Sequence, residues 1–260
     1  MIPHITASIF HRFLDSGRTS PALFSHEGST ELEGDYVVKL RGGMERPAAP
    51  LCELYASLLA AHLGLAVPSP AILLIEEDLA ELVEESSTDP VHANIVRNSI
   101  GWNFGSRFIP NLSSWPVDKK ISAAMREDAV RVFAFDALIQ NPDRRFDNPN
   151  LGIRGNEIII FDHESAFSFL LAVLPSTEPW RLNTEVYLDD HVFARSLRRE
   201  RLADDFTERL ANLSEVALAG IASQVPEVWK AKDLPKIEAH LQRMQEHAAE
   251  FADEIVRRLR

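Results

Sequence analysis

A single cysteine, Cys52, is all that this 260-residue chain contains, so an internal disulfide or a multi-cysteine metal centre is excluded. Set in an apolar pattern of helical spacing, Cys52 reads as a small core residue. Positive charge is also scarce: 27 Lys and Arg against 39 Asp and Glu leave a net charge of −12. That balance argues against a protein that grips nucleic acid by neutralising its phosphates. No run approaches the ~18 apolar residues of a membrane span. At the N-terminus, His4, His11 and Arg12 interrupt the chain before the apolar core of a signal peptide can build. The expectation is a cytoplasmic protein with no direct contact to nucleic acid or membrane. Repeats and low-complexity tracts are missing as well. The remaining composition, 45% hydrophobic and 25% charged, suits one large domain or two closely packed lobes.

The most informative stretch runs from Gln140 to Asp162, QNPDRRFDNPNLGIRGNEIIIFD. Two apolar runs, Leu151 to Ile153 and Ile158 to Phe161, flank Gly155-Asn156, the pattern of a tight β-hairpin. With that pair as the two-residue loop, Arg154 faces Glu157, Leu151 faces Ile160, and by extension Pro149 faces Asp162. The open end then brings Asn148 and Asn150 beside Asp162, with Asp143 just upstream and Arg144 and Arg145 close by. Converging oxygens are what a hard cation such as Mg²⁺ requires. The same letters also suit a plain polar loop that closes a helix, because Asn, Asp and Pro are turn formers. The interval from Asp143 to Asn148 is that of a kinase catalytic loop, with a further acid, Asp162, at the far end of the hairpin.

Upstream, residues 5–40 read as β structure. Ile5, Ala7, Ile9, His11 and Phe13 alternate along one face, and a polar turn follows at Asp15 to Ser20. Ser16, Gly17, Arg18, Thr19 and Ser20 could offer N–H groups and hydroxyls to a phosphate, or could form an ordinary hairpin loop. In the strand YVVKL, Lys39 shares a face with Val37, while Tyr36, Val38 and Leu40 point the other way. It reads either as an exposed charge or as a phosphate-pairing lysine held by a carboxylate. The helix between Pro50 and Gly64 offers that carboxylate in Glu53, which lies off the stripe of Leu51, Leu54, Tyr55, Leu58, Leu59 and Leu63.

Further on, a strand is expected at residues 70–75. The acidic run from Glu76 to Glu85 and the segment Ser86 to Asn98 read as loop-rich. Residues 101–110, GWNFGSRFIP, have strand character and could connect two lobes, with an adenine against them. From about Val117 the chain turns helical, and it does so again from about Asp189. The last helix is expected from roughly Pro235 to the end. Its stripe is Ile237, Leu241, Met244, Ala248, Phe251, Ile255 and Leu259. The fold class is therefore α+β, a two-lobed protein-kinase-like layout with a β-rich part over 1–110 and a mostly helical part over 111–260.

Several passages together resemble the HipA-like kinases, and more distantly the phosphatidylinositol-kinase-like group. They are SGRTSPALF with DYVVKL, CELYASLLAAHLGLAVPSP, NFGSRF, FDALIQNPDRRFDNPNLGI and IIIFDHESAF, spanning residues 16–167. The resemblance implies an ATP- and Mg²⁺-dependent phosphotransferase acting on a hydroxyl, in first place a Ser/Thr of a protein. It implies that Lys39 pairs with the nucleotide phosphates, positioned by Glu53, and that the Ser16–Ser20 turn covers them. Asp143 is then the base or orienter, while Asn148 and Asp162 hold Mg²⁺. HipA-like proteins often act as toxins with a DNA-binding antitoxin, so an antitoxin-like partner is implied too.

Three positions depart from the family pattern. Arg145 stands where His is common, Glu164 where Gly is usual after the metal acid, and Cys52 where Asn often precedes the helix Glu. None removes a metal ligand, so an active enzyme is expected. The rival readings are a small-molecule kinase of the same fold and a nucleotide-binding pseudokinase or interaction module.

Overall fold

The computed structural model describes residues 1–14, 19–28, 31–116, 119–230 and 232–260. Its first elements are β1 (His4–Thr6), β2 (Ile9–Phe13), β3 (Ala22–His26), β4 (Gly34–Lys39) and α1 (Ala49–His62). Then come β5 (Pro70–Ile75), α2 (Glu77–Ser86), α3 (Pro90–Arg97), β6 (Gly101–Arg107) and β7 (Ser113–Ser114). Helix α4 (Arg126–Leu138) precedes the hairpin strands β8 (Leu151–Arg154) and β9 (Glu157–Ile160). The chain ends in α5 (Asp204–Ala211), α6 (Glu215–Ala222), α7 (Glu227–Lys230), α8 (Leu234–Glu246) and α9 (Ala248–Arg258). Two compact units result. One holds residues 1–50 and 68–110; the other holds residues 51–67, with most of α1, and residues 111–260.

The first unit is built on a six-stranded sheet in the order β1-β5-β6-β4-β3-β2. Ile5, Phe24, Tyr36, Val38, Leu73 and Ile75 form its apolar face, with Ala80, Val83 and Val96 from α2 and α3 packed on it. The expected continuous first strand is in fact two. Ala7 N–H bonds to Leu74 O on β5, and the next residue, Ser8, donates to Ser25 O on β3. Consecutive residues thus reach both ends of the strand order, and the sheet curls back on itself. The alternation fails from that point: Ile9 is exposed, and the pairing register slips between Phe10 and Arg12.

The segment from Glu76 to Asn98, expected as loop, is the helix pair α2–α3. Its apolar side is short, Ala80 and Val83 in α2 with Leu79 half-buried beside them, so the acids mask the period. Asp89 accepts the Val91 N–H and Pro90 opens α3, a conventional start signal.

In the second unit, α1 carries the expected stripe but is enclosed on nearly every face. Cys52, Glu53, Ala56, Ser57 and Ala60 are buried along with Leu51, Leu54 and Leu59. Gly64, at φ +85°, ends the helix, and Leu65 N–H returns to Ala60 O. Helix α4 is equally enclosed, with Ala129, Val130 and every residue from Val132 to Leu138 buried. The hairpin pairs as its sequence predicts, Leu151 with Ile160 and Arg154 with Glu157, around Gly155 at φ +66°.

Two expectations for the tail change. Helix resumes at Asp204 rather than near Asp189, and the last helix is two. His247 breaks it, stacked at 3.6 Å on Trp180. The stripe from Ile237 to Leu259 is buried throughout, so an unbroken apolar period concealed the break.

Candidate active site

The second unit assembles its polar site from the end of α4, the loop 140–150 and the segment after β9. At its centre lies an ion pair with no exposed side-chain surface, Arg144 Nε to Asp136 Oδ2 at 2.6 Å. Asp136 also accepts from His191 Nε2 at 3.0 Å and, through Oδ1, from Asn141 Nδ2 at 3.0 Å. Burial alone would raise the Asp136 carboxyl pKa, but Arg144 and His191 outweigh it and hold the group well below its ordinary value. His191 is neutral in character: burial lowers its pKa, and Nδ1 accepts the Phe193 N–H, which leaves the proton on Nε2 for Asp136.

Arg144 then reaches outward. Its Nη1 donates to Asn150 O and, at 3.1 Å, to Phe161 O. One guanidinium therefore ties the loop carrying Asp143 to the residue immediately before Asp162. Asp143 is half-buried, and its carboxylate accepts from Asn150 Nδ2 at 3.2 Å. Its backbone N–H donates to Asn141 Oδ1, and its carbonyl accepts from Asn148 Nδ2 at 3.4 Å. Asn148 and Asn150 are thus gathered on Asp143.

Asp162 takes a left-handed backbone, φ +61°, which turns the chain out of β9. It lies with Glu53 and Glu164 so that one carboxylate oxygen from each falls within 4.8 Å of the others. Glu53 Oε2 also accepts the His163 N–H at 2.9 Å, holding the backbone between the other two acids. Expected as a charge off the buried stripe, Glu53 is 1% exposed. Three carboxylate oxygens at such spacing fit a hard divalent cation. Glu164, which departs from the family pattern, belongs to that donor set.

Arg145 directs its guanidinium to Asp147, at 3.0 Å, in an exposed pair. In the first unit, Lys39 ends β4 between β3 and β6, opposite Phe104, and is only 8% exposed; it is no edge charge. Ser16, Gly17 and Arg18 lie outside the described residues. Thr19 is buried, and Ser20 adopts φ +47°. The Thr19 carbonyl passes so close to Gly43 that a Cβ there would meet it at 2.5 Å. The turn after Lys39 is held by a residue the sequence reading passed over, the fully buried Asn103. Its Oδ1 accepts Arg41 N–H at 2.9 Å, while Nδ2 donates to Ser99 O and Gly101 O.

Asp136, Arg144 and His191 were likewise not singled out as structural residues. A signal existed for the first, since a carboxylate inside the apolar run RVFAFDALI is costly unless paired. His191 gave none, being 55 positions away in the chain.

A β-sheet unit followed by a largely helical unit bearing an Asp-to-Asn loop, a short hairpin and an acid after it is a protein-kinase-like fold. Two solved structures share the fold. One is the proinflammatory kinase CtkA of Helicobacter pylori, at TM-score 0.53 and 12% identity over 99% of each chain. The other is the Golgi casein kinase, at TM-score 0.50 and 13% identity over 99% of this chain and 73% of that one. Residues 8–255 match the HipA-like kinase family, and the chain belongs to it. No curated protein is matched by sequence. Family membership makes the chain a kinase-like phosphotransferase and implies use of a nucleotide and a divalent metal. Among the described residues, no helix is long and apolar enough to cross a membrane.

Proposed function

We propose that this protein transfers the γ-phosphoryl group of ATP to a Ser or Thr hydroxyl of a protein substrate. The observation that carries the proposal is the Arg144 clamp. It fixes the Asp143 loop against the residue preceding Asp162, the arrangement needed where a base and a metal acid must serve one reaction. Phosphoryl transfer asks mainly for positioning and charge neutralisation, with little covalent work for the protein.

In this reading, Asp143 receives the proton of the acceptor hydroxyl. Its carboxylate is aimed by Asn150 and its backbone by Asn141 and Asn148. Asp162 holds the divalent cation, together with Asn148 as the family pattern has it, and with the oxygens that Glu164 and Glu53 place near it. Such a cation, when bound, neutralises charge on the transferring phosphate. Lys39 takes the nucleotide phosphates, with Thr19 and Ser20 in the covering turn. Arg145, two residues from Asp143, is paired to Asp147 and exposed.

The test is transfer from labelled ATP to a protein or to the chain itself, followed by identification of the phosphorylated residue. Wild type should label Ser or Thr, and Asp143→Ala and Asp162→Asn should lose the label by at least about a hundred-fold, the scale of a general base or a metal ligand. Equal labelling in all three proteins would remove the assignment.

A further inference from the structure

Next to the Asp143 loop, on the second unit, lies a cavity of about 510 Å³ that the reaction described above does not use. Its size falls in the range of specific binding sites, roughly 300–1,000 Å³. The loop itself, Arg145 to Asp147, and the segment 189–196 both line it. The two segments form one short ladder. Phe146 N–H bonds to Asp190 O, Val192 N–H to Arg144 O, and Arg145 pairs with His191 in an antiparallel bridge. Trp115, Lys119 and Lys120 line the cavity as well.

The charge of this cavity opposes that of the chain. Three acids line it, but Asp147 is engaged by Arg145 at 3.0 Å and Asp189 by Arg258 at 2.9 Å. Lys119, Lys120 and Arg195 then face one remaining carboxylate, that of Asp190. Arg195 and Lys120 are exposed, and Lys119 stands 5.8 Å over the Trp115 ring. A local positive excess in a protein of net charge −12 is a departure that selects its ligand by sign. The half-exposed Phe146 adds apolar surface suited to side chains.

We infer that this cavity is the subsite for an acidic stretch of the substrate polypeptide, Asp or Glu residues flanking the acceptor hydroxyl. The inference rests on the protein-kinase reading and adds to it the sequence the enzyme prefers. Consecutive Cα atoms are 3.8 Å apart, so Arg145 lies within about 8 Å of Asp143. A substrate with its hydroxyl at Asp143 therefore reaches the cavity within roughly two to four residues of extended chain.

The experiment separates this inference from the reading beneath it by measuring binding and transfer independently. Calorimetry compares two short peptides with Ala at the acceptor position, one with Asp and Glu on the flanks, the other with Asn and Gln. The acidic peptide should bind at least about ten-fold tighter, a margin that shrinks as salt is raised. In Lys120→Glu/Arg195→Glu the margin should vanish. Equal affinity for both peptides, or a preference that survives the charge reversal, overturns the inference. Phosphate transfer to the Ser versions of the same peptides tests the kinase reading. Binding preference without transfer upholds the acidic subsite and refutes the kinase reading; transfer without preference does the reverse.

Discussion

Arg144 and Asp136 form a salt bridge from which water is excluded, and the same guanidinium holds the two backbone segments that carry Asp143 and Asp162. A buried ion pair contributes little net stability relative to an apolar pair of similar shape. Breaking one, however, leaves a charge stranded, at about 3–5 kcal/mol. Arg144→Met should therefore lower the unfolding free energy, measured by denaturant melts, by an amount in that range. Asp136→Asn/Arg144→Met should recover a substantial part of the loss while leaving transfer activity low, because the carbonyls of Asn150 and Phe161 remain untied. A double variant as unstable as the single one would contradict this account.

His240 predicts the acid limb of the stability curve. Buried against Phe169 and bonded through Nε2 to Leu138 O, it has a pKa lowered by burial from 6.5 to about 4. The folded state favours the neutral ring. Stability is thus complete above about pH 6.5 and falls as pH drops through the window down to 4, by up to about 3 kcal/mol. His240→Gln keeps a donor for Leu138 O without titrating, and should flatten most of that limb in urea melts from pH 7 to 4. His191, lowered in the same direction, would account for the remainder.

The acid cluster predicts how cation binding responds to substitution. Asp162→Asn should weaken Mn²⁺ or Mg²⁺ affinity, measured by calorimetry with a non-hydrolysable nucleotide, by at least about ten-fold. Glu164→Gln should weaken it less, and Glu53→Ala should act partly by releasing the His163 backbone. Unchanged affinity in Asp162→Asn and Glu164→Gln would exclude this cluster as the centre.

Asn103 predicts a loss of about 2–3 kcal/mol on substitution by Leu, because Arg41 N–H, Ser99 O and Gly101 O each lose a bond inside the protein. Thermal melts of Asn103→Leu, read against wild type, measure it. A Leu variant as stable as wild type would show that water takes over these bonds.

What could be read in the sequence was local. The hairpin register followed from a two-residue loop and period-2 alternation, both properties of neighbouring residues. The Asp143-to-Asn148 interval was visible for the same reason. The burial of Glu53 was missed because α1 is enclosed on nearly every face, so lying off the apolar stripe does not mean lying in water. The Asp136–Arg144–His191 cluster depends on a chain separation of 55 residues that no periodicity encodes. The helix pair α2–α3 was missed although its signal, Asp89 before Pro90, was in plain sight.

The central claim is that Asp143 serves the transfer step rather than nucleotide binding. Single-turnover transfer and nucleotide affinity, measured together for wild type and Asp143→Asn, test it most directly. The account predicts affinity within about two-fold of wild type and a transfer rate lowered by at least about a hundred-fold. A transfer rate equal to wild type, at equal nucleotide affinity, would contradict it.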